Sequence, residues 1–240
     1  MAGPLRLVPH PLASVGIRAT WKLAPTPGGS ALVDCQGLSV EVDPRRRKAI
    51  DQALYYHGTY EAGTIDVMRR VLSPGDQVVD VGAYTGFLAM SAARLVGSEG
   101  EVHAFEPHPD TRAALAANLE RNDIRNVIAH PEALGSTEAE GWLSDHPDHA
   151  GADTLHDIGP ATRHPVNIRP LDHFGLAPAF VKLDVEGWEL EALRGAVGTL
   201  NRHRPVLSVE VSRVAAGDGG QGVVEFLTDL GYRLYVLAGG

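Results

Sequence analysis

From Gln77 onward the chain alternates short apolar, β-branched runs with helical patterns, and that alternation decides the fold class. Gln77 to Val81, Glu101 to Phe105, Asn126 to Ala129, Phe180 to Leu183, Pro205 to Val211 and Tyr232 to Leu237 read as strands. Phe87 to Val96 is a helix of small apolar residues. Asp110 to Asn122 is a second helix, with Asp110 or Thr111 as its N-cap. Residues 186–200 read as one helix with Leu190, Leu193, Val197 and Leu200 on one face, and Val223 to Leu230 as a last helix closed by Gly231. Strand, helix, strand repeated in this way gives an α/β fold: a mostly parallel twisted sheet with helices on both faces. Ligands of such sheets bind beyond the carboxyl ends of the strands, where the strand order reverses.

Residues 1–47 stand apart as an N-terminal arm and hairpin. The first thirty are rich in Pro and Gly, and residues 31–42 form a hairpin around Gln36-Gly37. Residues 48–240 form the main domain, opening with one or two helices over 48–72. Residues 135–175 interrupt the rhythm. Glu140 to Leu143 and Val166 to Arg169 read there as two extra strands around a polar, His-rich loop.

With 44% hydrophobic and 21% charged residues, 240 residues suffice for a sizeable core, which excludes a disordered chain and a coiled coil. Lys and Arg number 21 against 30 Asp and Glu, a net charge of −9 that repels nucleic acid; Arg45-Arg46-Arg47-Lys48 is the one basic run. Cys35 is the only cysteine and has no partner for an intramolecular disulfide. No stretch has signal-peptide form or the length to span a membrane, so a soluble, cytoplasmic protein is expected.

The first strand runs into Asp80-Val81-Gly82-Ala83-Tyr84-Thr85-Gly86 and then a helix. The glycines permit a sharp turn and a close approach to a ligand. Their spacing is not that of a dinucleotide loop, and Asp80 disfavours a pyrophosphate there and favours a cation. Glu106, 20 residues after Gly86, ends the next strand beside Pro107, where an acid accepts hydrogen bonds from a ribose diol. A nucleoside with a cationic tail, such as S-adenosylmethionine, satisfies both acids. Further on, Lys182 inside an apolar strand is costly unless paired, and Asp184 and Glu186 follow it. Acids at the start of a helix are also explained by capping and the helix dipole.

Asp80-Val81-Gly82-Ala83 with Gly86, Phe105-Glu106-Pro107-His108-Pro109, and Lys182-Leu183-Asp184-Val185-Glu186-Gly187 with Glu189 and Leu193-Arg194-Gly195-Ala196 resemble the FkbM family of class I S-adenosylmethionine-dependent methyltransferases. The resemblance covers roughly residues 55–237, and its last motif is the most specific. It implies a Rossmann-like methyltransferase fold and O-methylation of hydroxyls on natural products or sugars, as in secondary metabolite biosynthesis. It implies cofactor contacts from Asp80 through the Gly82–Gly86 loop (Ala83, Tyr84 and Thr85 included) and from Glu106 and Pro107. It also implies a Glu132-Ala133-Leu134 turn beside the adenine, and Tyr60-Glu61 over the methionine end. Tyr84-Thr85 departs from the family's usual Asn-Ile.

Methyl transfer to an alcohol requires an oxygen held in line and a base for its proton. Asp184 and Glu186 are the candidates for base or substrate orienter, with His57 and Glu210 behind them. Asp184, Glu186 and Glu210 are hard oxygen ligands, but no spacing demands a metal and none is expected. Residues 135–175, with those before 60, are expected to build the pocket for a hydroxylated small molecule. The outer sheet edge is expected to be bare, covered by residues 1–42, or paired with another subunit in a homodimer. The competing reading is a non-catalytic member of the fold that binds S-adenosylmethionine or a partner. A short-chain dehydrogenase is excluded because no tyrosine is followed four residues later by lysine.

Overall fold

The computed structural model describes residues 29–44, 49–144, 163–210 and 220–237. The N-terminal arm to residue 28, the basic run at 45–48 and the His-rich stretch 145–162 lie outside the described residues. The chain divides into two compact units, Met1–Tyr60 and Glu61–Gly240.

In the first unit β1 (Ala31–Cys35) pairs antiparallel with β2 (Leu38–Val42). The two-residue connection has both Gln36 and Gly37 at positive φ, the backbone twist that closes a tight hairpin. Alternate residues Val33, Cys35, Leu38, Val40 and Val42 are buried, and α1 (Ala49–His57) packs on both strands. The division therefore places this helix with the hairpin rather than beyond a boundary at residue 47.

The second unit opens with α2 (Ala62–Val71) and is built on five parallel strands: β3 (Gln77–Val81), β4 (Glu101–Phe105), β5 (Val127–His130), β9 (Pro178–Leu183) and β10 (Val206–Val209). Their order is β10-β9-β3-β4-β5. The chain lays β3, β4 and β5 outward in one direction, then returns to place β9 and β10 on the other side. The order thus reverses between β3 and β9, whose residues Asp80 and Lys182 are register partners. Val79, Val81, Phe105, Val181 and Leu183 form the core with Leu193, Leu200, Val223 and Leu227 of the covering helices. Seven of the ten residues of α3 (Phe87–Val96) are buried, which explains its small apolar composition. No helix among the described residues is long and apolar enough to cross a membrane.

A smaller sheet holds β6 (Ala133–Leu134), β7 (Ala139–Ser144) and β8 (Arg163–Arg169), with β8 parallel to β6 and antiparallel to β7. The two extra strands expected around the insertion are these last two. Ala133–Leu134, expected as a turn, extends the ladder instead. The ring of His164 on β8 meets that of His108 edge-on at 4.5 Å, which ties the ladder to the end of β4.

Four expectations are corrected. The cap of α4 (Pro109–Arg121) is His108, whose Nδ1 accepts from the Thr111 N–H at 3.4 Å, rather than Asp110 or Thr111. Pro109 suits the first helical position, and the cap falls before it. The helix expected over 186–200 is two, α5 (Glu189–Arg194) and α6 (Val197–His203), and Val197 faces outward. The break is steric: a Cβ on Gly195 would lie 2.0 Å from the Gly135 carbonyl oxygen, so the backbones press together there. Residues 232–237 form no strand, and Tyr235 and Val236 are exposed. The last helix, α7, spans Gln221–Asp229, beginning two residues earlier than expected.

Asn126 secures the carboxyl end of α3. Its side-chain amide donates to the Ala93, Gly97 and Gly100 carbonyls at 3.1, 2.9 and 3.3 Å, adding to the backbone bonds that Gly97 and Gly100 already make to the first two and tying the turn after the helix to the start of β5. Asn126→Ala is expected to lower unfolding free energy by about 1–3 kcal/mol, read by denaturant titration.

Candidate functional site

β3, β9, β4 and β10 continue their ladders one residue past their ends. The Gly82 N–H donates to the Phe105 carbonyl at 3.0 Å, Asp184 to Val81 at 3.1 Å, Glu106 to His130 at 3.0 Å and Glu210 to Leu183 at 2.9 Å. Glu210, Asp184, Gly82 and Glu106 therefore stand in a row along one edge of the sheet, across the reversal of strand order.

Lys182 is 5% exposed in the middle of this edge. Its Nζ lies 3.2 Å from Asp184 Oδ2, 3.8 Å from Glu61 Oε1 and 4.0 Å from Asp80 Oδ1. Burial alone would lower its pKa, but Asp184, Asp80 and Glu61 outweigh burial and hold it well above the usual lysine value. Glu61 stands at the start of α2, where its Oε2 accepts from the Thr64 hydroxyl at 2.8 Å. Asp80 is 2% exposed, and neither carboxylate oxygen has a hydrogen-bond partner among the described residues. Its burial pushes the pKa up to about 6 against the pull of Lys182, with Glu61 and Asp184 adding to the rise. Partial burial, then Asp184 and Glu61, push Glu210 up to about 7. With Asp184, Glu61 and Asp80 all ionised around one ammonium, two negative charges are left over, and Glu210 lies at the exposed rim beside them. A buried surplus of that size invites a cation or protons.

On the β4 side, Glu106 binds the loop to the strand end. Its Oε2 accepts from the Tyr84 N–H at 2.8 Å and its Oε1 from the His108 N–H at 3.0 Å, while Arg112 donates to the Glu106 and Pro107 carbonyls. The protein's own packing requires glycine at both ends of this loop. A Cβ on Gly82 would lie 1.9 Å from the Asp184 carbonyl oxygen, and one on Gly86 would lie 2.6 Å from Leu115. Tyr84, Glu186 and Glu61, all on this edge, adopt positive φ of 51°, 51° and 46° without being glycine. Such strain persists where surrounding structure holds it, and it concentrates at functional sites.

The fold thus brings Glu61, Asp80 and Asp184 together, and places Glu186 in the loop after Asp184. Ala83, Tyr84 and Thr85 lie in the β3–α3 loop, Glu106 and Pro107 at its flank, and Glu132 and Ala133 after β5. His57 and Tyr60 belong to the first unit. Glu189, part of the last motif, has a structural role that its place in the sequence did not specify. It is 2% exposed, and its Oε1 accepts from the Val185 and Gly187 N–H groups at 3.2 and 3.1 Å, which fixes the loop behind Asp184. An acid three residues after Glu186 was the available signal for this.

The raised pKa of Asp80 has a stability consequence of definite sign. The folded chain holds a proton that the unfolded chain releases from pH 3.8 upward, so stability is lost as pH rises toward 6. Asp80→Asn removes that loss. Its melting temperature is expected to match the parent near pH 4 and exceed it above pH 7, by a free energy of up to about 3 kcal/mol.

The family model for the methyltransferase FkbM domain matches residues 80–234. Ribosomal protein L11 methyltransferase of Chloroflexus aurantiacus is 35% identical over 99 residues, covering 40% of this chain and 30% of that protein. Hexuronic acid methyltransferase AglP of Haloferax volcanii is 31% identical over 148 residues, 58% of each chain. A crystal structure of methyltransferase FkbM from Methylobacillus flagellatus overlaps 75% of this chain and 47% of that one, at 20% identity and a TM-score of 0.47. The matches span 30% and 58% of the two curated relatives' own lengths. The family model begins at the buried acid of β3 and takes in β4, β9 and β10, well over half of the chain; the protein belongs to the FkbM methyltransferase family.

Proposed function

We propose that this chain is an S-adenosylmethionine-dependent O-methyltransferase acting on a hydroxyl of a small molecule, a sugar or natural product, in the cytoplasm. The observation that carries this reading is Asp80: a buried carboxylate without a hydrogen-bond partner, set where the strand order reverses. Thr85 Oγ1 and Glu132 Oε2 are buried without a hydrogen-bond partner, the latter 4.0 Å from His130 Nδ1. These acceptors after β3 and β5, with the Glu106 carboxylate after β4, fit an adenosyl group bearing a cationic tail.

Bound S-adenosylmethionine supplies a methyl group already activated by its sulfonium. The chain's own part is binding and orientation. Asp80 and Glu61 would hold the cationic end, Glu106 the ribose diol, and Glu132 with Ala133 the base, with the Gly82–Gly86 loop beside them. Asp184 is the group best placed to orient the acceptor hydroxyl and take its proton, a role worth roughly 10²–10⁴-fold in rate. Lys182 donates to Asp184 Oδ2 at 3.2 Å and so orients that carboxylate. Glu189 fixes the loop that carries Glu186. A sugar acceptor is supported by the likeness to the hexuronic acid methyltransferase AglP, which aligns with 58% of this chain.

Calorimetry with S-adenosylhomocysteine tests the cofactor, and transfer of labelled methyl to a panel of monosaccharides and uronic acids tests the acceptor. The parent chain is expected to bind, with Asp80→Asn and Glu106→Gln weakening binding about tenfold or more, the cost of a charge-assisted contact. Binding without transfer to any hydroxylated acceptor supports the non-catalytic reading. Absence of binding overturns the proposal.

A further inference from the structure

We propose that His130 is a positioning residue for Glu132: a proton on its Nδ1 and a bound nucleobase compete for the same buried carboxylate oxygen. The inference rests on the cofactor reading above, which sets Glu132 beside the base. His130 closes β5, and four titratable side chains stand in line across β4, β5 and the loop that follows. Glu101 Oε2 lies 2.9 Å from His103 Nε2, His103 Nδ1 lies 3.0 Å from His130 Nε2, and His130 Nδ1 lies 4.0 Å from Glu132 Oε2.

Counting protons along the line fixes what Glu132 meets. An ionised Glu101 only accepts, so its contact assigns a proton to His103 Nε2. A neutral His103 is then bare at Nδ1 and takes the single hydrogen that the 3.0 Å gap admits, from His130 Nε2. A neutral His130 is in turn bare at Nδ1. That lone pair faces Glu132 Oε2, which is buried without a hydrogen-bond partner among the described residues. Two acceptors thus stand across a gap with no proton between them. A donor can satisfy the carboxylate oxygen in two ways: as an amino N–H of a bound base, or as a proton on His130 Nδ1 that draws Glu132 into an ion pair. The imidazole is fixed in place by its neighbours. It stacks on Phe105 with ring centres 4.4 Å apart, and Phe174 of the Leu171–Phe174 turn stands edge-on to it at 5.2 Å. The charged groups that act on it are His103 and Glu101 of β4 and Glu132 beyond β5. Burial and His103 hold its pKa below the ordinary histidine value against the pull of Glu132 and Glu101, so near neutral pH the carboxylate is left to the base.

Affinity for an adenosyl ligand is therefore expected to fall as pH drops through the His130 titration. Adenosine is the probe. It lacks the cationic tail, whose contacts would add the titration of Asp80 and Glu210, raised to about 6 and about 7, in the same window. Calorimetry on the full-length chain is expected to show adenosine binding about threefold or more weaker at pH 5.5 than at pH 8. His130→Phe, which keeps a ring against Phe105, is expected to flatten that dependence. A histidine with only a structural role would leave the slope unchanged and weaken binding equally at every pH, and that result overturns the proposal. Nuclear magnetic resonance of the imidazole reads the coupling in the unaltered chain: saturating adenosine is expected to lower the His130 pKa, and Glu132→Gln to lower it without ligand. A His130 pKa that adenosine does not move overturns the proposal, whether or not the phenylalanine variant folds. S-adenosylhomocysteine at pH 8 separates the two readings. If neither it nor adenosine binds there, the cofactor reading fails and takes this proposal with it. Binding there without the proton link sinks this proposal alone.

Discussion

One buried ammonium organises the carboxyl edge of the sheet. Lys182 sits on a central strand, where an unpaired charge would cost several kcal/mol, and it is tolerated because Asp184, Asp80 and Glu61 surround it. The pairing runs across the reversal of strand order, since Asp80 and Lys182 are register partners on β3 and β9. The ion cluster therefore does two things. It holds together the two halves of the sheet laid down in opposite directions, and it stores negative charge where such folds bind their ligands.

Everything else on the edge is arranged around that cluster by backbone contacts. Gly82 has no side chain because the Asp184 carbonyl occupies the space, so the β3 loop and the β9 end press directly on each other. Glu106 draws the same loop toward β4 through the Tyr84 amide, and Glu189 fixes the loop after Asp184 through two more. A change at any of these positions reaches the cluster through a rigid backbone rather than through mobile side chains.

The sheet was legible because its strands are apolar, β-branched and short, bounded by turn residues. Gln77–Val81, Phe87–Val96 and Glu101–Phe105 follow the pattern to the residue. What failed were features set by contacts distant in sequence. The apolar stripe through Leu190, Leu193, Val197 and Leu200 has helical spacing, yet the packing of Gly195 against Gly135 breaks it in two. Tyr232 to Leu237 has strand composition but stays out of the sheet. At the site, residue types and strand ends pointed to Asp80, Glu106 and Asp184. The meeting of Glu61 with Lys182 and Glu210 depends on which strands become neighbours, and spacing along the chain carries no signal for that.

The most direct test of the central interaction is the pH dependence of unfolding in Lys182→Met. Without the ammonium, the buried carboxylates repel one another when ionised and are relieved when protonated. The account predicts a variant destabilised by about 3–5 kcal/mol at pH 8, the cost of breaking a buried ion pair, that recovers most of its loss on acidification to pH 5. A variant as stable as the parent at pH 8, or one whose deficit does not change with pH, would contradict it.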